Sequence, residues 1–175
     1  MKMLPFAFFD ENSEYIPRNY KTENCVVYTS SHDSDCAKSW IAELPKYARE
    51  LFDRERKKIK GESRVYSAIR LAFESKANLA IVQMQDYLEL TNDEGRMNMP
   101  STPSGNWGWR MSKRYNTKAL REKISSLTKQ TKRKWKTDGE NSVVFIGEFV
   151  ITPVSVKNQH RICMHKCTWA VAQTH

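Results

Sequence analysis

The sequence predicts an α/β fold built on a parallel sheet with helices on both faces. Short apolar segments at 3–9, 25–29 and 79–82 alternate with longer segments whose apolar residues recur at three- and four-residue spacing. The short segments are continuously apolar, which is typical of strands buried on both faces of a parallel sheet. Polar sequence follows each of them, so these polar segments should meet at one edge of the sheet, where such folds bind ligands.

The helices are predicted from periodicity and from capping residues. The first covers 35–59, and Pro45 should kink or divide it. The second covers 63–76 with Ser63 as its N-cap, and the last covers 117–133. One face of the first helix is expected to be formed by Trp40, Ile41, Leu44, Tyr47, Leu51 and Phe52.

The last part of the chain has a different character. Residues 134–175 are predicted to be a basic linker and a tail that is β-rich over 140–156 and breaks the strand–helix alternation. The chain of 175 residues suits one domain or slightly more, and it is shorter than a complete (β/α)8 barrel of about 250 residues. We therefore expect one α/β unit over 1–133 followed by this tail.

The formal charge of +9 raises nucleic acid as a partner. The basic residues concentrate at 54–60 and 110–136, in helix-like or linker-like sequence. Solvated surface is the favoured interpretation of both segments, so nucleic acid is an unlikely partner by this criterion. A basic, non-catalytic protein that binds nucleic acid or another polyanion is the alternative function.

Cysteine usage and hydropathy indicate a reducing compartment. The four cysteines are scattered, and no apolar run approaches the roughly 20 residues that span a bilayer. The first 15 residues have one basic residue before a short apolar patch and acidic residues directly after it, so a strand is favoured over a signal peptide. We expect a cytoplasmic protein without disulfides and without a membrane partner.

The sharpest candidate site is His32-Asp33-Ser34-Asp35, directly after the second strand. A carboxylate at a strand end can accept hydrogen bonds from sugar hydroxyls or stabilise a developing positive charge, and a neighbouring histidine can donate to a hydroxyl. The competing interpretation is a turn in which Ser34 or Asp35 caps the following helix. Both can hold, with Asp35 as cap and Asp33 as ligand.

A long polar loop over 91–108 follows the third strand and is expected at the same edge. It holds Arg96, Asn98, Asn106 and Trp107, and Trp109 follows just beyond it. Exposed aromatic rings beside amide side chains suit sugars, which offer an apolar face and a hydroxyl edge. The alternative is a structural loop whose tryptophans fill the space beneath it.

Other site patterns are weak. His160, Cys163, His165 and Cys167 crowd four ligand types onto one short segment, unlike the usual zinc spacing, so no metal site is predicted. The sequence has no P-loop, no Gly-x-Gly-x-x-Gly, no His-Glu-x-x-His and no Gly-x-Ser-x-Gly elbow.

The motifs "YIPRNY", "VVYTSSHDSDCAKSW" and "IVQMQDYLELTNDEGRMNMPSTPSGNWGWRM", in this order, resemble the carboxy-terminal part of the 4-alpha-glucanotransferases. The resemblance covers about Met3 to Arg133. The family's motif Tyr-Thr-Gly-Thr-His-Asp-Asn-Asp-Thr stands here as Tyr28 to Cys36, with Ser30 in place of Gly, which can change the local backbone. The resemblance implies roughly strands six to eight of a (β/α)8 TIM barrel, within the α/β class.

The resemblance also implies roles. These enzymes, also called amylomaltases or disproportionating enzymes, transfer α-1,4-glucan segments between maltooligosaccharides by retaining double displacement, without a cofactor or metal. Asp33 aligns with the aspartate that holds hydroxyls of the −1 sugar and stabilises the transition state. His32 aligns with a histidine that binds the same sugar, and Arg96, Asn98 and Pro100 align with a segment beside the substrate groove.

One part of the family's machinery has no counterpart in this alignment. Nothing in the chain corresponds to the nucleophilic aspartate or the acid/base glutamate, and retaining chemistry needs two carboxyl groups about 5 Å apart. We therefore expect the chain to be a carboxy-terminal fragment or truncated gene model, inactive in isolation.

Overall fold

The computed structural model describes residues 1–133 and the backbone of 143–146. Within this part of the chain, a parallel sheet of four strands follows the order of the sequence. Neighbouring parallel strands in sequence order are also the arrangement of a (β/α)8 barrel. The predicted α/β fold with a parallel sheet is confirmed, while its assignment to the carboxy-terminal portion of a (β/α)8 barrel remains a prediction. The strands are β1 Lys2–Met3, β2 Val26–Tyr28, β3 Leu79–Val82 and β4 Val143–Ile146.

Helices connect the strands and cover one face of the sheet. Short 3-10 helices lie at Leu4–Phe9, Pro17–Asn19 and Lys113–Tyr115. No helix among the described residues is long and apolar enough to cross a membrane. The α-helices are α1 Ala37–Glu43, α2 Lys46–Glu55, α3 Arg64–Glu74, α4 Met84–Tyr87, α5 Asn92–Gly95 and α6 Lys118–Gln130.

The first predicted strand is wrong over most of its length. β1 has only Lys2 and Met3, and Leu4–Phe9 is a 3-10 helix with Pro5 in its first turn. Proline is tolerated there because the first backbone N–H groups of a helix have no internal partner. Leu4, Ala7 and Phe8 are buried and Phe9 is exposed, a three- and four-residue burial pattern that an all-apolar run conceals.

Pro45 divides the first predicted helix, as expected. α1 ends at Glu43 and α2 begins at Lys46. The predicted buried face is confirmed except at Tyr47, which is 58% exposed. Arg49 on α2 donates to the backbone oxygens of Ala42 and Leu44, both at 2.9 Å, and so satisfies the free carbonyls at the end of α1. The predicted Ser63 cap of α3 is also confirmed, because its Oγ accepts a hydrogen bond from Tyr66 N at 3.2 Å.

Among residues 1–133, one face of the sheet is covered, whereas the prediction was that both faces would be. Val27, Ala80 and Val82 point into the core and are buried. Their neighbours along β2 and β3 point to the opposite face and are only half-buried; they are Val26, Tyr28, Leu79 and Ile81. Continuous apolarity shows that both faces of a strand are hydrophobic, but it does not show what lies against each face.

The tail assignment needs one correction. Residues 143–146, placed in the tail that should break the strand–helix alternation, form β4 and pair in parallel with β3. The sequence Val-Val-Phe-Ile there suits a parallel strand, and α6 precedes it, so the alternation continues. The rest of 134–175, including the possible zinc ligands, lies outside the described residues, and the domain boundary at 133 remains a prediction.

The basic segment 54–60 is largely paired with acidic side chains. Arg54 contacts Glu11, Arg56 lies 2.6 Å from Asp53, and Lys57 lies 2.8 Å from Glu74. These contacts support the interpretation of this segment as ordinary surface. Within 110–133, one arginine departs from the surface prediction, because the Arg133 side chain is buried in the structure.

Cys36 is expected to resist thiol reagents in the folded chain. Its side chain is buried, and burial, with a further contribution from the negative charge of Asp86, raises its pKa to about 12. The reactive thiolate is therefore scarce at neutral pH. Iodoacetamide at pH 8 followed by mass spectrometry should leave Cys36 unmodified in the native chain and modified in urea. Equal labelling in both conditions would contradict its burial.

Candidate functional site

The site lies where β2 ends and the loop after β3 crosses it. His32 and Asp33 protrude at the end of β2, with about half of each side chain exposed, and His32 Nε2 lies 2.9 Å from Asp33 Oδ2. Asn98 reaches the same place from the other loop. Its backbone N–H donates to His32 O at 3.0 Å, and its side-chain Nδ2 lies 2.5 Å from Asp33 Oδ1. The structure therefore brings the two predicted polar segments together at one edge of the sheet.

Arg96 is a mostly buried residue that connects the two segments at this edge of the sheet. Its guanidinium contacts the Asp35 carboxylate, and its side chain is only 17% exposed. Further hydrogen bonds run from Arg96 Nε to Asn98 O at 2.9 Å and from Nη2 to Asp33 O at 3.3 Å. The donor groups of Arg96 are directed at protein atoms. Arg96 therefore holds Asn98 and the backbone of Asp33 in place.

The predicted cap of α1 is wrong. Neither Ser34 nor Asp35 caps the helix: Ser34 Oγ accepts from Ser31 N at 2.7 Å, and Asp35 is held by Arg96 and by Asn92 Nδ2 at 2.7 Å. The first N–H groups of α1 are satisfied from the segment after β3. Asn92 Oδ1 accepts from Cys36 N at 2.9 Å, and Asp86 Oδ1 accepts from Ala37 N at 2.7 Å. Tertiary contacts replace the local cap that the sequence suggests.

The two tryptophans of this loop differ in burial, and sugar binding by the exposed one remains a prediction. The Trp107 ring centroid lies 5.1 Å from that of His32, and 37% of the residue is exposed. Trp109 is partly buried and packs against the core. Trp107 has a φ of 61°, which is unusual for a bulky residue, and hydrogen bonds to Met97 and from Arg110 hold its backbone. This unusual backbone presents the indole beside His32.

The remaining residues of the loop shape it. Asn106 closes a turn, because its Oδ1 accepts from Met99 N at 2.8 Å and its Nδ2 donates to Thr102 Oγ1 at 2.8 Å. Pro100 is exposed within this turn, beyond Asn98. The loop therefore carries one amide that contacts Asp33 and a second amide that maintains the loop itself.

Sequence reasoning did not identify Asp86. This residue is fully buried on α4 and accepts hydrogen bonds from Thr29 Oγ1 and Ser30 Oγ at 2.6 Å each, besides the bond from Ala37. Burial raises its pKa, and the three hydrogen bonds act in the opposite direction. The sequence does carry one sign of this residue. Asp86 lies near the start of a helix that directly follows the buried strand β3, where a carboxylate is close to the ends of the neighbouring strands.

Ser30 is accommodated in the structure without a positive φ. It is fully buried, its hydroxyl donates to Asp86, and it is not among the described residues with positive φ. A side chain is therefore accommodated at this position because it points inward to an acceptor.

Two carboxylates of the site differ in availability. Asp35 is engaged by Arg96 and Asn92, whereas half of the Asp33 side chain is open to solvent. Asp33 is therefore the more exposed carboxylate of this cluster, with 50% of its side chain open against 32% for Asp35. Among the described residues, no group of three or more His, Cys, Asp or Glu side chains is placed to hold a metal ion.

Arg96→Ala is expected to loosen the loop over 91–108. The substitution removes the charge partner of Asp35 and the donor to Asn98, so we expect a loss of about 1–2 kcal/mol in the free energy of unfolding. Limited proteolysis followed by mass spectrometry should show faster cleavage within this loop. The control is Lys113→Ala, which removes an equal charge from an exposed residue. Cleavage at the control's rate would contradict the role assigned to Arg96.

A parallel α/β sheet with a carboxylate, an imidazole, an amide and an exposed indole gathered at the carboxyl ends of its strands defines an α/β protein with side chains where such folds bind ligands. The sequence model of one family, described as 4-alpha-glucanotransferase, matches residues 1–117. The chain belongs to this family, which confirms the resemblance.

Relatives and a solved structure agree with this membership. The 4-alpha-glucanotransferase of Aquifex aeolicus is 43% identical over 118 residues, covering 67% of this chain and 24% of the relative. That of Clostridium butyricum is 39% identical over 135 residues, covering 74% and 26%. The amylomaltase from Streptococcus agalactiae in complex with acarbose superposes with a TM-score of 0.71 at 32% identity, covering 76% and 27%. The chain thus spans about a quarter of the length of the relatives that it matches.

Proposed function

We propose that the chain forms one wall of the glucan-binding site of a 4-alpha-glucanotransferase, with α-1,4-glucans and maltooligosaccharides as substrates. The observation that carries the proposal is the position of Asp33, whose two carboxylate oxygens face His32 and Asn98 at 2.9 and 2.5 Å while half of the side chain stays exposed. Family membership and the acarbose complex of the related amylomaltase support the same substrate class.

Asp33 is proposed to bind hydroxyls of the −1 sugar and to stabilise positive charge that develops on that ring. Each carboxylate oxygen can accept two hydrogen bonds, so Asp33 can retain its protein contacts and still accept from a sugar. His32 is proposed to hydrogen-bond the same sugar. The indole of Trp107 provides an apolar surface beside it, which suits the face of a pyranose ring.

Asn98, Arg96 and Pro100 are proposed to form the adjoining part of the groove. Asn98 orients Asp33, Arg96 fixes Asn98, and Pro100 lies exposed in the next turn. The reaction is proposed to be retaining transfer between maltooligosaccharides, which needs two further carboxyl roles. Asp33 is the stabilising carboxylate in this scheme, and no described residue of the site takes the role of nucleophile or general acid.

The 175-residue chain alone is expected to bind acarbose without catalysing transfer. Binding should shift the tryptophan fluorescence, because Trp107 lies beside His32. Incubation with maltotriose should yield neither glucose nor longer maltodextrins, since Asp33 cannot supply both carboxyl roles. Fluorescence titration and chromatography of the sugars measure the two results.

Asp93 provides the matched control, as an exposed carboxylate outside the cluster. Asp33→Ala should abolish the fluorescence shift, and Asp93→Ala should keep it. Absence of any shift in the unmodified chain would contradict glucan binding. Disproportionation by the pure chain would overturn the assignment of roles. Retention on heparin with a steep salt dependence, without a sugar response, would favour the polyanion-binding alternative.

A further inference from the structure

The Asp86 carboxylate is buried without a charged partner in the contacts that the structure gives it. It is fully buried, and its three donors are two hydroxyls and one backbone N–H, all neutral. Transfer of a carboxylate from water to such a place is costly, and hydrogen bonds from neutral donors offset only part of that cost. A leucine or methionine side chain at position 86 would fill the same space without the cost of burying a carboxylate. The Asp86 carboxylate should therefore have a role besides packing.

All three donors lie on one segment. Thr29 and Ser30 donate to Oδ2 at 2.6 Å each from the end of β2, and Ala37 donates to Oδ1 at 2.7 Å from the first turn of α1. The residues between these two attachment points, 31–36, contain His32 and Asp33. One side chain therefore fixes both ends of the turn that presents the site.

The helix that carries Asp86 is itself buried and held by further hydrogen bonds. α4 is buried along its whole length, and Tyr66 Oη donates to the backbone oxygen of Tyr87, next to Asp86, at 3.0 Å. Thr29 is held a second time, because Trp40 Nε1 donates to its backbone oxygen at 3.0 Å. A displacement of the carboxylate would thus be transmitted to the turn instead of being absorbed by α4.

We propose that Asp86 is a positioning residue, whose carboxylate fixes the turn 31–36 and thereby places His32 and Asp33, with the Ser30 hydroxyl completing its hydrogen bonds. The positioning of the turn does not depend on what the site binds. Its consequence for glucan affinity rests on the proposed function.

The test uses the 175-residue chain with Asp86→Asn, Ser30→Gly and Thr29→Val. Asparagine keeps the size and one acceptor but places a donor opposite the hydroxyls. The readouts are amide chemical shifts over 31–36, hydrogen exchange of the Asn98 amide, which donates to His32 O, and affinity for acarbose. Ser67→Ala is the control, a buried hydroxyl on α3 that donates to Ser63 O at 3.0 Å and lies outside the site.

Asp86→Asn should shift the 31–36 amides, speed exchange at Asn98 by about 10- to 100-fold and weaken acarbose binding by a similar factor, the range for losing a hydrogen bond to a charged group. Ser67→Ala should lower the melting temperature and leave these local signals unchanged. If Asp86→Asn does not fold, Ser30→Gly and Thr29→Val should each produce the local changes at smaller size.

Three results would overturn the inference: local signals that match the unmodified chain, amide shifts of similar size throughout the chain instead of over 31–36, or unaltered acarbose affinity despite a displaced turn. If the unmodified chain does not bind acarbose at all, the proposed function fails, and the amide signals still decide whether Asp86 positions the turn.

Discussion

Asp33→Ala is expected to lower glucan transfer by roughly 10²- to 10³-fold, the range for removing one preorganised group that stabilises a transition state. The measurement needs a complete enzyme carrying these residues. Residues 1–117 can replace the matching segment of the Aquifex aeolicus 4-alpha-glucanotransferase, to which the chain is 43% identical over 118 residues. Initial rates of maltotriose disproportionation by the chimera and its variant give the factor.

The stability of the variant should change little, because about half of the Asp33 side chain is exposed and its partners His32 and Asn98 can turn to water. Asp33→Asn should recover part of the binding, since it keeps one acceptor, but not the rate, since it lacks the negative charge. Asp93→Ala in the chimera should transfer at the parent rate. A parent-like rate for Asp33→Ala would refute the role proposed for this carboxylate.

Arg133→Ala is expected to lower the free energy of unfolding by roughly 3 kcal/mol. The guanidinium is buried and donates to the backbone oxygens of Phe73, Ser75 and Ala77, each at 2.6 Å, where α3 ends. The last carbonyls of a helix have no internal partner, so the truncated side chain would leave buried acceptors unsatisfied. Urea unfolding followed by far-UV circular dichroism measures the change.

Lys129→Ala is the matched control for Arg133→Ala. It removes the same charge from the last turn of α6, where the side chain is exposed. Its effect should stay within about 0.5 kcal/mol. Arg133→Lys should fall between the two, because an ammonium group can reach fewer of the carbonyls than a guanidinium. A loss below about 1 kcal/mol for Arg133→Ala would show that the carbonyls find other partners.

Short-range sequence patterns correctly predicted those strands and helix boundaries that are determined by neighbouring residues. The apolar runs at β2 and β3 form strands, Ser63 begins α3, and Pro45 divides α1 from α2. Each of these follows from residues within a few positions of one another. The segment Leu4–Phe9 failed because a run in which every residue is apolar has no periodicity to distinguish a strand from a helix.

The features that the sequence concealed depend on distant contacts. The residue types at the start of α1 predicted Asp35 as its cap, but the side chains that accept from the first N–H groups are those of Asp86 and Asn92. A basic segment marked Arg133 as surface, but the end of α3 lies close enough to bury it. The meeting of His32 and Asp33 with Asn98 was predictable, since the carboxyl ends of neighbouring parallel strands share an edge.

The remote caps of α1 also set an order of events during synthesis. Asp86 and Asn92 lie 49 and 56 residues beyond the N–H groups that they satisfy. A nascent chain that has released α1, α2 and α3 from the ribosome still lacks both acceptors, so the turn with His32 and Asp33 should stay unformed. Contacts between residues so far apart in sequence form only after the entropic cost of closing a long loop has been overcome. The site should therefore assemble only after β3 has paired with β2, which makes it a late product of folding.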